Sequence, residues 1–372
     1  MQRKSRKVRL IIVSEHVHVA SSRPSITGVA AYGASNASTS ARMLAWFDLL
    51  GATNVDIRLW GSQPDNSPRT TIRHPIQIAR AELSLRRWAR WRSSAGTLLI
   101  QREASPFSDG SVEERILRQA DRGILDLDDA LTTKTPGGLI QRAFPRHHRV
   151  RRAAVAADRI VAGNAFIADL VSDCCDDVVI VPTCVDLADY DRKSDYRIHD
   201  APTIGWIGTT STEPYLLDIA ESLRQVCLRT GGTVELLSST SGPPPHALHG
   251  FARRVKWTPL EQSRRLAKWD VAVMPLRTTD WERGKCAYKL LQYGAVGLPA
   301  VATPVGVNIE VLRETSCPRP TSIDDWTSSL LEVLDGSAET RRAAGTSLYG
   351  VVSNGFTFSS WREVMAKCLG IG

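Results

Sequence analysis

A chain of 372 residues is long enough for two domains of ordinary size, each with its own core. Its 42% hydrophobic and 23% charged content is that of a globular protein, and no apolar run reaches the length needed to span a bilayer. The net charge of +8 comes largely from arginine and suits a polyanion, an anionic membrane surface or a nucleotide-sugar, while no nucleic-acid-binding motif accompanies it.

The opening MQRKSRKVRLIIVSEHV is basic, then briefly apolar. The apolar run is too short for a signal peptide and ends in Glu15 and His16, so Val8 to Ser14 reads as a first core strand. His16 and His18 alternate at its end and point the same way, either as structural histidines or as a general base. Ala20 to Ala37 reads as a variable loop, and its Gly33-Ala34-Ser35-Asn36-Ala37 lacks the second glycine of a nucleophile elbow. The next helix, Thr39 to Leu50, carries Arg42 in its first turn, where a cation opposes the helix dipole unless an anion is near. A surface arginine is the alternative.

Short apolar strands then alternate with helical segments, the pattern of parallel sheets. Strands are expected at Val55 to Trp60, Thr97 to Gln101, Gly123 to Leu127, Arg159 to Ala162 and Val178 to Val181. Helices are expected at Pro75 to Arg92, Val112 to Ala120 and Ala165 to Val171. In the first of these, Ile78, Ala81, Leu85, Trp88 and Trp91 recur at helical spacing among arginines. That pattern describes a sheet-covering helix with its aromatics in the core; membrane docking is the alternative. Arg146 to Arg152 is a second basic segment, with His147-His148 read as loop residues. Gln101-Arg102-Glu103 and Asp126-Leu127-Asp128-Asp129 lie at carboxyl ends of strands, where α/β crevices bind ligands. The three aspartates are suited to a hard divalent cation, to substrate hydroxyls or to capping the following loop. Ala162-Gly163-Asn164 and Pro182 to Asp186 are strand-end turns. The charged, weakly patterned Leu187 to Ala201 reads as an interdomain linker.

The second half restarts with a strand, Thr203 to Ile207, a Gly-Thr-Thr-Ser turn and a helix, Glu213 to Arg229. Strands follow near Val234 to Leu237, Arg254 to Trp257 and Val271 to Met274, with a Ser/Gly/Pro-rich loop at Ser238 to His249. Residues 284 to 312, GKCAYKLLQYGAVGLPAVATPVGVNIEVL, then read as helix, tight turn, buried strand, glycine loop and second helix. Two helix N-termini would face one crevice at a strand end, a site for a phosphate or diphosphate. Lys285 and Lys289, one helical turn apart, would add two cations to it. Gly284-Lys285-Cys286 lacks the upstream glycine and the Ser/Thr of a P-loop, which removes an NTPase reading. Phe356 to Cys368 reads as a final helix. The seven cysteines show no metal spacing, and Cys174-Cys175 are adjacent, as expected of reduced thiols in a cytoplasm.

The stretch from 284 to 312 resembles the donor site of family 4 glycosyltransferases, the large retaining group with the GT-B fold. It is most similar to a branch reading roughly GKCxxKLLQY and then GxPxVxxPVGVN. The family's broader signature is two glutamates separated by seven residues; here Gly284 stands at the first position and Gln292 at the second, with Glu282 or Asp280 as the nearest carboxylates. Ser38 to Leu50 and the strand-end turns of the first half resemble the family's cleft-facing segments.

The resemblance implies two Rossmann-like domains about a cleft. Residues 1–188 would form the acceptor side and 202–355 the nucleotide-sugar side, with 356–372 crossing back as a helix. It also implies transfer of a sugar from a nucleotide diphosphate to the hydroxyl of a glycan, lipid-linked or small-molecule acceptor, without a metal or other cofactor. On that reading Lys285 and Lys289 stabilise the departing diphosphate. Gly208, Thr209, Glu282, Gln292, Gly306 and Val307 hold the donor, and His16, Arg42, Asp126, Asp128 and Asp129 face the acceptor. The protein would be cytoplasmic, or peripheral at the inner face of a membrane. A GT-B protein without transferase activity, serving as a glycan-binding or scaffold partner, is the alternative that the absent glutamates favour.

Overall fold

A computed structural model describes residues 26–34, 36–52, 55–59, 75–91, 96–133 and 145–371. Two parallel sheets organise them. The first contains β1 (Ile26–Ala30), β2 (Val55–Leu59), β3 (Thr97–Gln101), β4 (Arg122–Leu127), β5 (Arg159–Ala162) and β6 (Val178–Ile180), in the order β2-β1-β3-β4-β5-β6. The second contains β7 (Thr203–Gly208), β8 (Thr233–Ser238), β9 (Ala252–Lys256), β10 (Val271–Met274) and β11 (Ala300–Ala302), in the order β11-β10-β7-β8-β9.

Both faces of the first sheet are covered, which is why β1 and β3 are buried along their whole length, while the edge strand β2, Val-Asp-Ile-Arg-Leu, alternates. Val29, Leu98, Ile100, Leu125 and Ile160 point into one core with Leu85 and Ile116, while Ile26, Ala30, Leu99, Ile124 and Val161 point into the other. The second core is completed by the chain's last helix, Phe358–Leu369, through Met365, Cys368 and Leu369. Phe358 meets Trp46 edge-on at 4.9 Å, and the Leu369 carbonyl accepts from the Thr97 hydroxyl at 3.1 Å. The second sheet is enclosed in the same way, by Leu290, Leu291, Tyr293 and Leu348 on one face and Leu216, Leu223 and Leu330 on the other.

Several sequence expectations change. Val8 to Ser14, His16 and His18 lie outside the described residues. The first strand among the described residues is β1, which lies between β2 and β3 and comes from a stretch read as part of a variable loop. Gly28 is there because a Cβ would come 2.5 Å from the Phe47 ring and 2.8 Å from the Met43 sulfur. The helix after β1 begins at Ala37–Thr39, capped by Asn36, widens into a π turn over Ser40–Leu44 and resumes at Ala45–Leu49. His147 and His148 sit in a helix, Arg146–Ala156, whose basic sequence disguised its buried Val150, Ala153 and Ala154. The segment read as a linker is docked on the second domain: the Tyr196 hydroxyl donates to the Gly297 carbonyl at 2.8 Å, and the Lys193 ammonium donates to the Trp269 and Ala267 carbonyls. Helices Asp325–Asp335 and Ala338–Gly355 cover the second sheet beyond the 284 to 312 stretch.

Candidate functional site

The carboxyl ends of β3, β4 and β5 meet the stretch around Gly284 to Lys289. The contact is built from glycines and one thiol. A Cβ on Gly284 would lie 2.5 Å from the Ala130 Cβ and 2.6 Å from its backbone nitrogen. A Cβ on Gly163 would lie 2.4 Å from the Cys286 sulfur, and that thiol donates to the Asp128 carbonyl at 3.2 Å. Burial pushes the Cys286 thiol up to about 12, so it is a packing and hydrogen-bonding group, not a nucleophile. Asn164 caps the helix Ala165–Val171 by accepting from the Ile167 amide at 2.8 Å, and its own amide reaches the Lys285 carbonyl at 3.5 Å.

Two residues in this contact have left-handed backbones without being glycine, Arg102 (φ 63°) and Ala287 (φ 54°). The second corrects the expected geometry of the lysines. Lys285 lies between the helices Asp280–Arg283 and Tyr288–Val296, and Lys289 lies in the latter, so they flank the Ala287 turn instead of lying on one helix face.

The charges form an ordered relay across the domains. Arg102 grips both Asp128 and Asp129, and Asp129 faces Lys285 at 3.5 Å. Burial would raise the Asp128 carboxyl, but Arg102 outweighs it and holds it below the usual range. Lys285 also lies 5.1 Å from the centre of the Trp281 ring. Lys289 is different. Its ammonium sits 5.8 Å from the centre of the Trp206 ring, and among the described residues it makes no ion pair. Burial, with Lys285 adding to it, pulls Lys289 down to about 8.

The other expected ligands are placed as follows. Arg42 is neither first-turn nor surface: it is buried in the π turn, forks onto Asp126 at 2.5 and 3.2 Å and donates to the Val181 carbonyl. Asp126 is fully buried beside it, so both are spent on each other beneath the cleft. Glu282 accepts from the Tyr215 hydroxyl at 2.6 Å and from Thr279, which ties down the carboxylate nearest the missing first glutamate. Gln292 is buried and donates to the Tyr190 hydroxyl at 3.3 Å, a bond within the chain that the sequence did not announce. Gly208 is required by the Trp206 ring, 2.4 Å from where its Cβ would stand. Thr209 lies beside it in an exposed turn, its amide donating to Thr212. Gly306 (φ 54°) lets the loop pass Arg283, whose carbonyl would be 2.6 Å from a Cβ, and Val307 buries its side chain behind it.

Tyr215 and Trp206 were not expected in the site. Arg102 was singled out within Gln101-Arg102-Glu103 for its position directly after a strand. No group of three or more metal-ligating side chains occurs among the described residues, and no helix there is long and apolar enough to cross a membrane.

Solved structures with the same arrangement of domains are similar to this chain along almost their whole length. A sucrose-phosphate synthase from Thermosynechococcus elongatus matches with a TM-score of 0.66 and 12% identity, over 93% of this chain and 98% of that one. An alpha,alpha-trehalose-phosphate synthase (UDP-forming) from Burkholderia vietnamiensis matches at 0.62 and 11%, over 93% and 96%. Anabaena Alr3699/HepE, solved in complex with UDP and glucose, matches at 0.63 and 10%, over 94% and 100%. The fold is GT-B, two Rossmann-like domains about a cleft. No family model and no curated protein matches the sequence.

Proposed function

We propose that this chain is a glycosyltransferase that moves a sugar from a nucleotide diphosphate sugar to an acceptor hydroxyl, with retention of configuration, as its resemblance to family 4 implies. The observation that carries the reading is Lys289: a partly buried ammonium with no ion-pair partner among the described residues, close to Lys285 and to the carboxyl end of β7. An uncompensated charge in such a place costs stability and is explained by an anion that arrives with the substrate. The departing diphosphate is that anion. Lys285 reaches it by leaving Asp129, whose charge Arg102 continues to balance. Both cations then meet negative charge as it develops, which lowers the barrier without a metal ion. Closure of the domains through Gly284 and Cys286 would exclude water that otherwise hydrolyses the donor. The acceptor would enter beside Asp128 and Asp129.

A second reading, a GT-B protein that binds sugar nucleotides or glycans without turnover, is favoured by Glu282 and Gln292, both engaged within the chain. The two are separated by incubating the protein with UDP-, GDP-, ADP- and dTDP-sugars, each with and without a panel of sugar and lipid hydroxyl acceptors, and measuring acceptor-dependent release of the nucleoside diphosphate. Such release above the no-enzyme rate, abolished in Lys289→Ala, supports transferase chemistry. Binding without release supports the second reading.

A further inference from the structure

The helix Pro75–Trp91 lies between β2 and β3, buries Leu85 and Ala89 in the first core, and turns a different face outward. Positions 76, 80, 83, 87 and 90 fall within one narrow stripe at 100° per residue. That stripe reads Ile-Arg-Leu-Arg-Arg. Ile76 is 67% exposed and Leu83 57%, and Arg80, Arg87 and Arg90 are exposed without an ion pair among the described residues. Its acidic neighbour Glu82 lies to one side and is taken by Arg86 and the Ser105 hydroxyl. The other basic segment, Arg146–Ala156, differs. There Arg151 pairs with Asp173, Arg152 with Asp109 and Glu114, and nearby Arg159 with Asp177.

We propose that this ridge docks the N-terminal domain onto an anionic lipid bilayer. Three unneutralised guanidinium groups complement a negative surface, and two branched apolar side chains between them find in the acyl boundary an apolar phase that a soluble polyanion does not offer. The ridge is about 21 Å long at helical rise, enough to lie flat in the interface. β2 and β3 both run parallel to β1, so the helix runs back against them and Ile76, in its first turn, lies on the cleft side of the sheet. On the reading proposed above, on which this last point rests, a lipid-borne acceptor would then present its hydroxyl at the cleft mouth.

Co-sedimentation with vesicles of phosphatidylcholine, and of equimolar phosphatidylcholine and phosphatidylglycerol, tests the proposal on the full chain. Binding is expected only to the mixed vesicles and is weakened by salt. The triple variant Arg80→Gln, Arg87→Gln, Arg90→Gln should lower partitioning by about a hundredfold. Ile76→Ser with Leu83→Ser, at unchanged charge, should lower it by about tenfold or more. Equal binding to both vesicles, binding to neither, or a serine variant that partitions like the wild type would overturn the proposal, the last pointing to a soluble polyanion instead. The substituted side chains are exposed, and melting curves verify that the variants fold. Nucleotide binding is read separately on the same proteins, so loss of docking and loss of the donor site are told apart.

Discussion

Lys289 and Arg42 show how differently two partly or wholly buried cations can be used. Arg42 has its counter-ion built in, so removing it by Arg42→Met should leave Asp126 as an isolated buried charge and cost about 3–5 kcal/mol in denaturant unfolding. Adding Asp126→Leu to that variant should restore most of the loss, because the uncompensated carboxylate goes with it. A double variant no more stable than Arg42→Met would show that the pair does more than neutralise itself. Among the described residues Lys289 has no such partner, and its acidity is set by burial and by Lys285. Its folded value, about 8, is below the ordinary lysine value of 10.5. The unfolded chain therefore binds more protons between those values, and the destabilising contribution of the buried ammonium fades as pH rises through that window. Binding of a diphosphate needs the protonated form, so affinity should fall as pH rises above about 8, and this fall should vanish in Lys289→Met. A pH-independent affinity in the wild type would remove Lys289 from the anion site.

At the scale of elements, the turn that joins Asp280–Arg283 to Tyr288–Val296 is what brings the domains together. Gly284 has an ordinary backbone (φ −77°), so a side chain there is unacceptable only because Ala130 of the other domain stands against it. Gly284→Ala should thus open the domains without unfolding either. Small-angle scattering should show a larger radius of gyration, and turnover should fall by about tenfold or more, as expected of overpacking by 1–3 kcal/mol at the closed contact. An unchanged radius with unchanged turnover would mean that the contact is not needed. The Gly-Leu-Pro stop was legible in the sequence because turn chemistry is local: Gly297 takes a left-handed C-cap (φ 76°), as its place after an apolar helix suggests. The left-handed Ala287 was not legible, since nothing in the residue type demands it. β1 was missed because its burial on both faces comes from partners distant in sequence, Phe47, Leu99 and Met365 among them. The partners of Glu282 and Gln292, Tyr215 and Tyr190, lie 67 and 102 residues away, beyond any local pattern.

For the molecule as a whole, the acidic residues at the cleft are already balanced by side chains, Asp128 and Asp129 by Arg102 and Lys285 and Asp126 by Arg42. Prolonged treatment with EDTA should therefore leave transfer intact; loss of activity with EDTA and its return with Mn²⁺ or Mg²⁺ would make those aspartates metal ligands. On the function proposed, a nucleoside diphosphate is held against Lys285 and Lys289. Calorimetric titration of the wild type and Lys289→Ala with UDP, GDP, ADP and dTDP measures it directly. Saturable one-to-one binding of at least one of these is expected for the wild type, with an affinity lower by about tenfold or more in the folded variant, the size expected for a lost charge-assisted contact. Absence of binding for all four, or equal affinity in the two proteins, would contradict the proposed function.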